Sequence, residues 1–125
     1  MDWLGSYMES GLNLKLKKAL AEMLFLAILA EKPRPIVEII SLLNEKSGGA
    51  CNMQFPYAIV YRMEKAGYVK EEGSRMTPDR RRTFYSLTSS GKTYLKALKR
   101  DYAVFIQGVD GVFAYLEEGK KKTGK

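Results

Sequence analysis

The chain has no histidine and only one cysteine, Cys51. A disulfide within the chain is therefore excluded, and so is a zinc site built from the usual cysteine and histidine ligands. Histidine is also the commonest general base in enzymes, and the sequence has no glycine-rich phosphate loop. Because no pair of nucleophile and base can be nominated, we expect neither an enzyme nor a bound metal or cofactor.

Long hydrophobic runs are also missing. The longest apolar run extends from Met23 to Ala30, whereas a membrane-spanning helix needs roughly 20 apolar residues. The first residues, Met1 to Leu4, lack the basic start and the small-residue cleavage site of a secretory signal peptide. The sequence therefore predicts a cytoplasmic protein with no membrane partner.

Acidic residues are fewer than basic ones, 14 against 21, which gives a formal net charge of +7. Most of the excess lies after residue 70. A basic segment favours polyanionic partners such as DNA, RNA or an acidic membrane surface. The other interpretation is that the charge serves only solubility, because a moderate net charge is common in soluble domains.

The most informative segment covers residues 80–92, which begin with the consecutive arginines Arg80 to Arg82. These side chains can reach phosphate groups. Residues 82–87 then alternate in the manner of the two faces of a strand. Thr88 or Ser89 follows and can cap a helix by accepting a hydrogen bond from a free backbone N–H. A strand that leads from a basic hairpin into a long helix is typical of the wing of a winged helix-turn-helix, and it indicates nucleic-acid binding.

Three helices are predicted before this hairpin. Apolar residues at helical spacing indicate a first helix from Leu14, which Pro33 ends. A second helix begins near Pro35 and ends at residues 47–49, where a serine is followed by two glycines. A third helix starts between Asn52 and Pro56, runs to Ala66 and is followed by a glycine.

This order of elements predicts a mainly α fold with a small β-hairpin (α+β), in which a winged helix-turn-helix precedes a long C-terminal dimerisation helix. The predicted divisions are an N-terminal arm at 1–13, a winged helix-turn-helix DNA-binding domain at 14–88, a dimerisation helix at 89–118 and a disordered basic tail at 119–125.

One face of the third helix is aromatic and amide-rich, which is unusual for a face that meets only solvent. It comprises Gln54, Tyr57, Ala58, Tyr61 and Lys65. In a major groove, Gln54 can pair bidentately with an adenine edge, and the two tyrosines can reach phosphates or thymine methyl groups. Half-buried packing explains the tyrosines equally well.

The last helix carries apolar residues at alternating spacings of three and four, which are the a and d positions of a heptad repeat. This seam consists of Leu95, Leu98, Tyr102, Phe105, Val109, Val112 and Leu116. A helix of this length protrudes past a domain of this size, and we predict that a second copy of the chain covers the seam. The alternative is that the helix folds back on the first helix of its own chain.

Four segments, in order and at matching separations, resemble motifs of the PadR-like winged-helix transcriptional regulators. They are residues 29–39, 57–69, 81–91 and 105–109. The second segment is similar to the family's Tyr-Pro-x-Leu-x-Arg-Leu-Glu-x-x-Gly-Leu-Ile in the recognition helix. The third is similar to its Arg-Arg-Lys-Tyr-Tyr-x-Leu-Thr-x-x-Gly in the wing.

The resemblance implies a homodimeric regulator, by analogy a repressor, that binds double-stranded DNA. It also implies that Arg62, which matches an arginine of the family's recognition helix, binds phosphate or guanine. Together with the exposed face and the hairpin, the predicted DNA-binding residues are Gln54, Tyr57, Tyr61, Arg62, Lys65, Arg75, Arg80, Arg81 and Arg82.

The resemblance further implies a small aromatic effector that binds near the dimer interface and releases the DNA. The residues available to line such a pocket are Trp3, Tyr7, Phe25, Tyr102 and Phe105. Packing in the core explains the same residues.

This chain also departs from the family around the start of the recognition helix. It has Gln54-Phe55-Pro56 in place of Gly-Thr-Leu, and Ala58 in place of proline. A second function therefore stays open, in which the winged helix is a protein-interaction module without sequence-specific DNA binding.

Overall fold

The computed structural model of the chain describes residues 11–124, with side chains up to residue 120. Four helices and three strands lie within this range. They are α1 (Gly11–Leu29), β1 (Arg34–Pro35), α2 (Ile36–Lys46), α3 (Pro56–Lys65), β2 (Val69–Met76), β3 (Arg81–Leu87) and α4 (Ser89–Gly124).

Helix α1 divides into an exposed first half and a buried second half. Phe25, Leu26 and Leu29 lie in the core, because residues 23–29 at the end of the helix are all apolar. The helix begins at Gly11, before the predicted start at Leu14, so residues 11–13 of the predicted arm are helical. The rest of that arm lies outside the described residues.

A short strand that the sequence did not predict joins the wing. Strand β1 pairs antiparallel with β3, with Arg34 opposite Tyr85, and this makes a three-stranded sheet in the order β1-β3-β2. Arg34 is buried, and its Nε donates a hydrogen bond to the carbonyl oxygen of Ile28 at 3.2 Å. Its guanidinium also pairs with Glu31 and Glu38. These contacts hold the link between α1 and α2 against the sheet.

Helices α2 and α3 form the helix-turn-helix. Helix α2 buries Ile36, Ile39 and Leu43, and the Ser47 hydroxyl donates to the Leu43 carbonyl oxygen at its end. The turn between the helices requires positive φ angles at Gly48 and Gly49, a conformation that glycine adopts without steric cost.

Helix α3 begins at Pro56, where proline costs nothing because the first backbone N–H of a helix has no partner within it. It buries Ile59, Val60 and Met63. These side chains orient α3, so that its opposite face points away from the core.

The wing is the hairpin of β2 and β3. Its pairing runs from Val69 opposite Leu87 to Met76 opposite Arg81. The tip is closed by the Thr77 N–H, which donates to the Arg80 carbonyl oxygen at 2.8 Å.

Helix α4 starts with the predicted cap. The Thr88 hydroxyl oxygen accepts the Gly91 N–H at 3.0 Å and donates to the Gly67 carbonyl oxygen at 2.6 Å. The helix is 36 residues long, and at about 1.5 Å per residue it extends about 54 Å. It continues through Gly124, which corrects the prediction of a disordered tail after Glu118. Lysines are good helix formers and are favourable at the negative end of a helix dipole.

Only the first part of α4 packs on the body of the chain. Leu95 is buried in the core, whereas the side chains after residue 109 are exposed as far as residue 120. Within residues 11–124, none of the helices is both long and apolar enough to span a membrane.

Candidate nucleic-acid interface

The outer face of α3 is open to solvent. Tyr57 and Tyr61 are 72% and 60% exposed, and the buried residues of the helix lie on its other side. Lys65 lies on the same open face, with its Nζ 5.4 Å from the centre of the Tyr61 ring. Gln54 is exposed in the segment before the helix. Four predicted contact residues are therefore brought to one accessible surface, with two rings and one cation close together.

Arg62 lies at the edge of this face, toward α1. Its Nε donates a hydrogen bond to the Glu22 carboxylate at 2.9 Å. The side chain stays about half exposed, so it links α3 to α1 while remaining in contact with solvent.

The wing arginines have different partners. Arg75 lies over the Phe84 ring at 4.5 Å from its centre, and Arg82 pairs with Asp79 at 2.5 Å. The Arg81 guanidinium donates to Ser74 at 3.3 Å. Arg80 has no side-chain hydrogen bond or ion pair to any residue in the described range. Of the four arginines, Arg80 is thus the one whose guanidinium is not engaged by its own hairpin.

Asp79 stabilises the turn of the wing. The hydrogen bonds from Arg82 and from the Thr77 hydroxyl hold the pKa of the Asp79 carboxyl below its ordinary value. The carboxylate therefore stays ionised and keeps its partner in place well into acidic conditions. It also places one negative charge beside the predicted arginines.

A groove of about 210 Å³ connects the wing with α3. It is lined by Tyr57 of α3, by residues 35–37 at the start of α2, and by Arg80, Arg81 and Arg82 of the wing. Tyr85 also lines it, and burial raises the pKa of the Tyr85 hydroxyl, with smaller contributions from Glu64 and Glu71. The hydroxyl is therefore protonated at neutral pH and can donate a hydrogen bond.

Tyr85 and Thr83, which also lines the groove, were not among the predicted contact residues. Their place on alternate positions of β3 was visible in the sequence, because one face of that strand had to meet α3. The sequence pattern does not show on which side of the sheet α3 lies.

The structure separates the predicted dimer seam into two parts. Leu95 is buried in the core of its own chain, and Leu98 packs against the same core. Tyr102, Phe105, Val112 and Leu116 are exposed, while Val109 is partly buried. The correction for Leu95 follows from its position about two turns after the Thr88 cap, where α4 still contacts the body.

Further large apolar side chains are exposed on α4 and on the first half of α1. On α4 they are Val104, Phe113 and Tyr115, and on the first half of α1 they are Leu12, Leu14 and Leu16.

The three described residues among those predicted for an effector pocket, Phe25, Tyr102 and Phe105, do not line a common pocket. Phe25 is fully buried in the core, where it packs among the other core side chains. Tyr102 and Phe105 lie on the protruding part of α4. Trp3 and Tyr7 lie outside the described residues.

No three histidine, cysteine, aspartate or glutamate side chains from the part of the chain that the structure describes are grouped in a way that could hold a metal ion.

The model of the transcriptional regulator PadR-like family matches residues 25–97, which is more than half of the chain. No curated protein matches the sequence significantly.

Several solved structures are similar. The protein smu.1704 from Streptococcus mutans UA159 is 28% identical, with a TM-score of 0.66 over 76% of this chain and 87% of that one. A PadR family transcription regulator from Clostridium difficile R20291 is 26% identical, with a TM-score of 0.62 over 76% of this chain and 98% of that one. A PadR family transcriptional regulator from Eggerthella lenta DSM 2243 is 20% identical, with a TM-score of 0.69 over 90% and 93% of the two chains. At that identity the likeness concerns the fold alone.

Proposed function

The chain belongs to the PadR-like family of transcriptional regulators, and from that premise we propose that it binds double-stranded DNA as a homodimer and represses transcription. The observation that carries the proposal is the groove that is lined by Tyr57 of α3 together with Arg80, Arg81 and Arg82 of the wing. A reading helix and a cationic hairpin on one surface can contact a major groove and the adjacent backbone together.

In this proposal the outer face of α3 enters the major groove. Gln54 pairs with an adenine edge, and Tyr57 and Tyr61 contact phosphates or thymine methyl groups. Lys65 and Arg62 add cationic contacts at the two sides of the face. Their support is that all five of these side chains are exposed.

The wing contributes mainly through Arg80. Its guanidinium is not held by the hairpin, so it meets a phosphate or the narrow minor groove without first breaking an internal contact. Arg75, Arg81 and Arg82 keep their internal partners and add positive potential around the same groove.

The homodimer is proposed from the exposed part of α4. Tyr102, Phe105, Val112 and Leu116 continue the heptad spacing on a helix that leaves the body of the chain. Exposed apolar side chains in such a row favour a second helix, because association removes them from water. A two-fold symmetric dimer implies a roughly palindromic operator.

We also propose that a small aromatic compound releases the protein from DNA, as the family resemblance implies, and that the site of action is the cytoplasm. Such a compound must bind the non-binding arrangement of the dimer more tightly than the DNA-bound one. Trp3 is the only tryptophan of the chain, so titrating its emission with phenolic compounds tests this part directly. Emission that stays constant across the series would remove the effector from the proposal.

An electrophoretic mobility shift with the DNA upstream of the chain's own gene tests the central part. We expect a shifted band that resists unrelated competitor DNA and is lost when the upstream DNA is used as competitor. A band that both competitors remove equally, or no band, favours the other candidate, a winged-helix module that binds a protein through α4. In a reporter strain, deletion of the gene should raise expression from the same upstream region if the output is repression.

A further inference from the structure

Arg62 differs from the other proposed DNA contacts of α3 because another helix holds its side chain. Its Nε–H donates to the Glu22 carboxylate of α1 at 2.9 Å, and the two residues are 40 positions apart in the chain. The other proposed contacts on the outer face of α3 make no side-chain hydrogen bond to another element within the described residues. The structure therefore fixes one cation of this surface and leaves its neighbours open.

Glu22 lies in the well-packed second half of α1. The next residue, Met23, is buried in the core, and the Glu22 side chain is itself half-buried. Burial raises the pKa of the Tyr94 hydroxyl on α4, and the negative charge of Glu22 adds to this effect. The carboxylate thus has a fixed backbone and acts on residues of both α3 and α4.

The hydrogen bond leaves most of the Arg62 guanidinium available to a ligand. Nε carries one of the five N–H donors, and the two terminal nitrogens carry the other four. These terminal nitrogens have no hydrogen bond or ion pair to any residue that the structure describes. Because the guanidinium is planar, a fixed Nε also limits the direction of the terminal edge. That edge can donate two parallel N–H groups to one phosphate.

The place of Arg62 on α3 favours a phosphate over a base edge. Arg62 lies at the side of the helix toward α1, whereas Tyr57 and Tyr61 lie on the open outer face. In the proposed complex the outer face meets the base edges, and the sides of the helix meet the sugar–phosphate walls of the major groove. A phosphate contact at this side fixes the register of α3 on the duplex.

The ion pair is not needed to hold α3 on the core. Ile59, Val60 and Met63 already bury the inner face of the helix. An ion pair that keeps contact with water contributes little to stability, and the side chains of Arg62 and Glu22 are 54% and 30% exposed. Its main effect is therefore on the arginine, which loses part of its rotamer freedom before a ligand arrives.

We propose that Glu22 is a positioning residue that holds the Arg62 guanidinium ready for a phosphate of the DNA backbone. The inference rests on the proposed function, to which it adds a residue of α1 that acts through Arg62. Glu22 has two opposite effects, because its carboxylate orients the guanidinium while its negative charge repels phosphate. A neutral side chain that still accepts the Nε–H keeps the first effect and loses the second.

The test compares Glu22→Gln with Glu22→Ala on the labelled upstream duplex by fluorescence anisotropy. The two variants have the same net charge, but only the glutamine carbonyl oxygen can accept the Arg62 Nε–H. We expect Glu22→Gln to bind about threefold to tenfold more tightly than Glu22→Ala, which is the range for one hydrogen bond. Glu22→Gln should also bind at least as tightly as the parent chain, because the repelling charge is gone.

A second background shows whether the effect passes through Arg62. In chains that also carry Arg62→Ala, the glutamine and alanine variants should bind within about twofold of each other, because no guanidinium is left to position. Glu118→Gln and Glu118→Ala are the matched control pair. Glu118 is exposed on the protruding part of α4, so these two variants should bind alike.

The free chain gives a measurement that needs no DNA. In nitrogen-labelled NMR spectra, the Arg62 Nε–H signal can be identified by its loss in Arg62→Ala. Its exchange with water should be slow in the parent chain and in Glu22→Gln, and faster in Glu22→Ala. This measurement reports on the hydrogen bond itself, whereas a purely structural role of Glu22 would leave the contrast between glutamine and alanine in DNA affinity independent of Arg62.

Equal affinities of Glu22→Gln and Glu22→Ala overturn the inference, and so does a difference that persists with Arg62→Ala. Equal exchange of the Arg62 Nε–H in the parent chain and in Glu22→Ala also overturns it. A parent chain that gives no specific mobility shift removes the proposed function, and this inference with it. A parent chain that binds the duplex without the difference between the two variants keeps the proposed function and loses only the role of Glu22.

Discussion

Gly91 lies directly against Tyr68: a Cβ at position 91 would overlap the carbonyl oxygen of Tyr68. This contact fixes the start of α4 on the segment between α3 and β2. The Tyr68 ring also stacks on Tyr94, with ring centres 4.1 Å apart. The end of α3, the start of β2 and the start of α4 therefore meet at one closely packed junction.

We expect Gly91→Ala to destabilise the chain. The added methyl group meets backbone, which cannot move aside as a side chain can, and overpacking of this kind costs about 1–3 kcal/mol. Urea unfolding should show the loss as a lower midpoint. Gly108→Ala is the control, because a Cβ there meets nothing within 4 Å, and this substitution should be neutral or stabilising by up to about 1 kcal/mol. Equal midpoints for the two variants would contradict the junction.

Arg80→Ala should weaken DNA binding on every sequence. Loss of one phosphate contact should reduce the slope of log affinity against log salt by about one. Fluorescence anisotropy across a salt series measures both quantities. Arg100→Ala removes the same charge from an exposed site on α4 and should leave the slope unchanged. If both variants lose the same amount, the effect belongs to net charge and the wing assignment fails.

Asp79→Asn should strengthen DNA binding. The substitution removes a negative charge beside the predicted arginines and frees Arg82, whose Nη2 is 2.5 Å from the Asp79 carboxylate. We expect a gain of roughly threefold to tenfold in affinity at low salt, which disappears at high salt. Asp101→Asn on α4 provides the comparison for the change in net charge alone. A weaker complex with Asp79→Asn would mean that the turn has to be held by Asp79 for the wing to bind.

The pH dependence of this turn follows from the lowered pKa of Asp79. A carboxyl whose pKa is lower in the folded state stabilises the fold above its unfolded pKa, and this contribution is lost as the pH falls through the folded value. The difference in wing dynamics between the parent and Asp79→Asn should therefore persist at neutral and mildly acidic pH. Amide exchange at residues 77–82 would measure it, and a difference that vanished already near neutral pH would contradict the lowered pKa.

Phe105→Asp should convert the proposed dimer into a monomer. Phe105 is 70% exposed on the seam, and a charge there cannot be buried against a second helix without a large cost. Val104→Asp is the matched control, since Val104 is 62% exposed but lies about 100° away around the helix. Analytical ultracentrifugation should give a monomer for the first and a dimer for the second. A parent chain that sediments as a monomer would exclude the dimer altogether.

Much of the fold was predictable because its signals are local. The helical spacing in α1 to α4, the glycines after α2 and α3, and the cap at Thr88 depend only on neighbouring residues. Strand β1 was not predicted because two residues are too few to show the alternation of a strand. Its pairing with β3 also depends on contacts between residues that are distant in sequence. The helical residues after Glu118 were missed because a basic tail resembles a disordered segment in composition.

The sequence predicts which residues belong to the candidate site, but it does not predict how their side chains are arranged. The exposed face of α3 follows from its period, since Ile59, Val60 and Met63 had to face the core. The different states of the wing arginines depend on which side chains the turn brings close, as with Arg82 and Asp79. In the sequence, Phe25 and Leu95 cannot be told from apolar residues of an interface. Only the packing of the whole chain assigns them to the core.

Hydrogen–deuterium exchange of the full chain, free and bound to the upstream duplex, tests the central claim most directly. The claim is that α3 and the wing contact DNA together across the groove between Tyr57 and Arg80. We predict that DNA slows exchange in residues 54–65 and 75–82 at the same time. Slowed exchange in only one of these segments, or only in α4, would contradict the account.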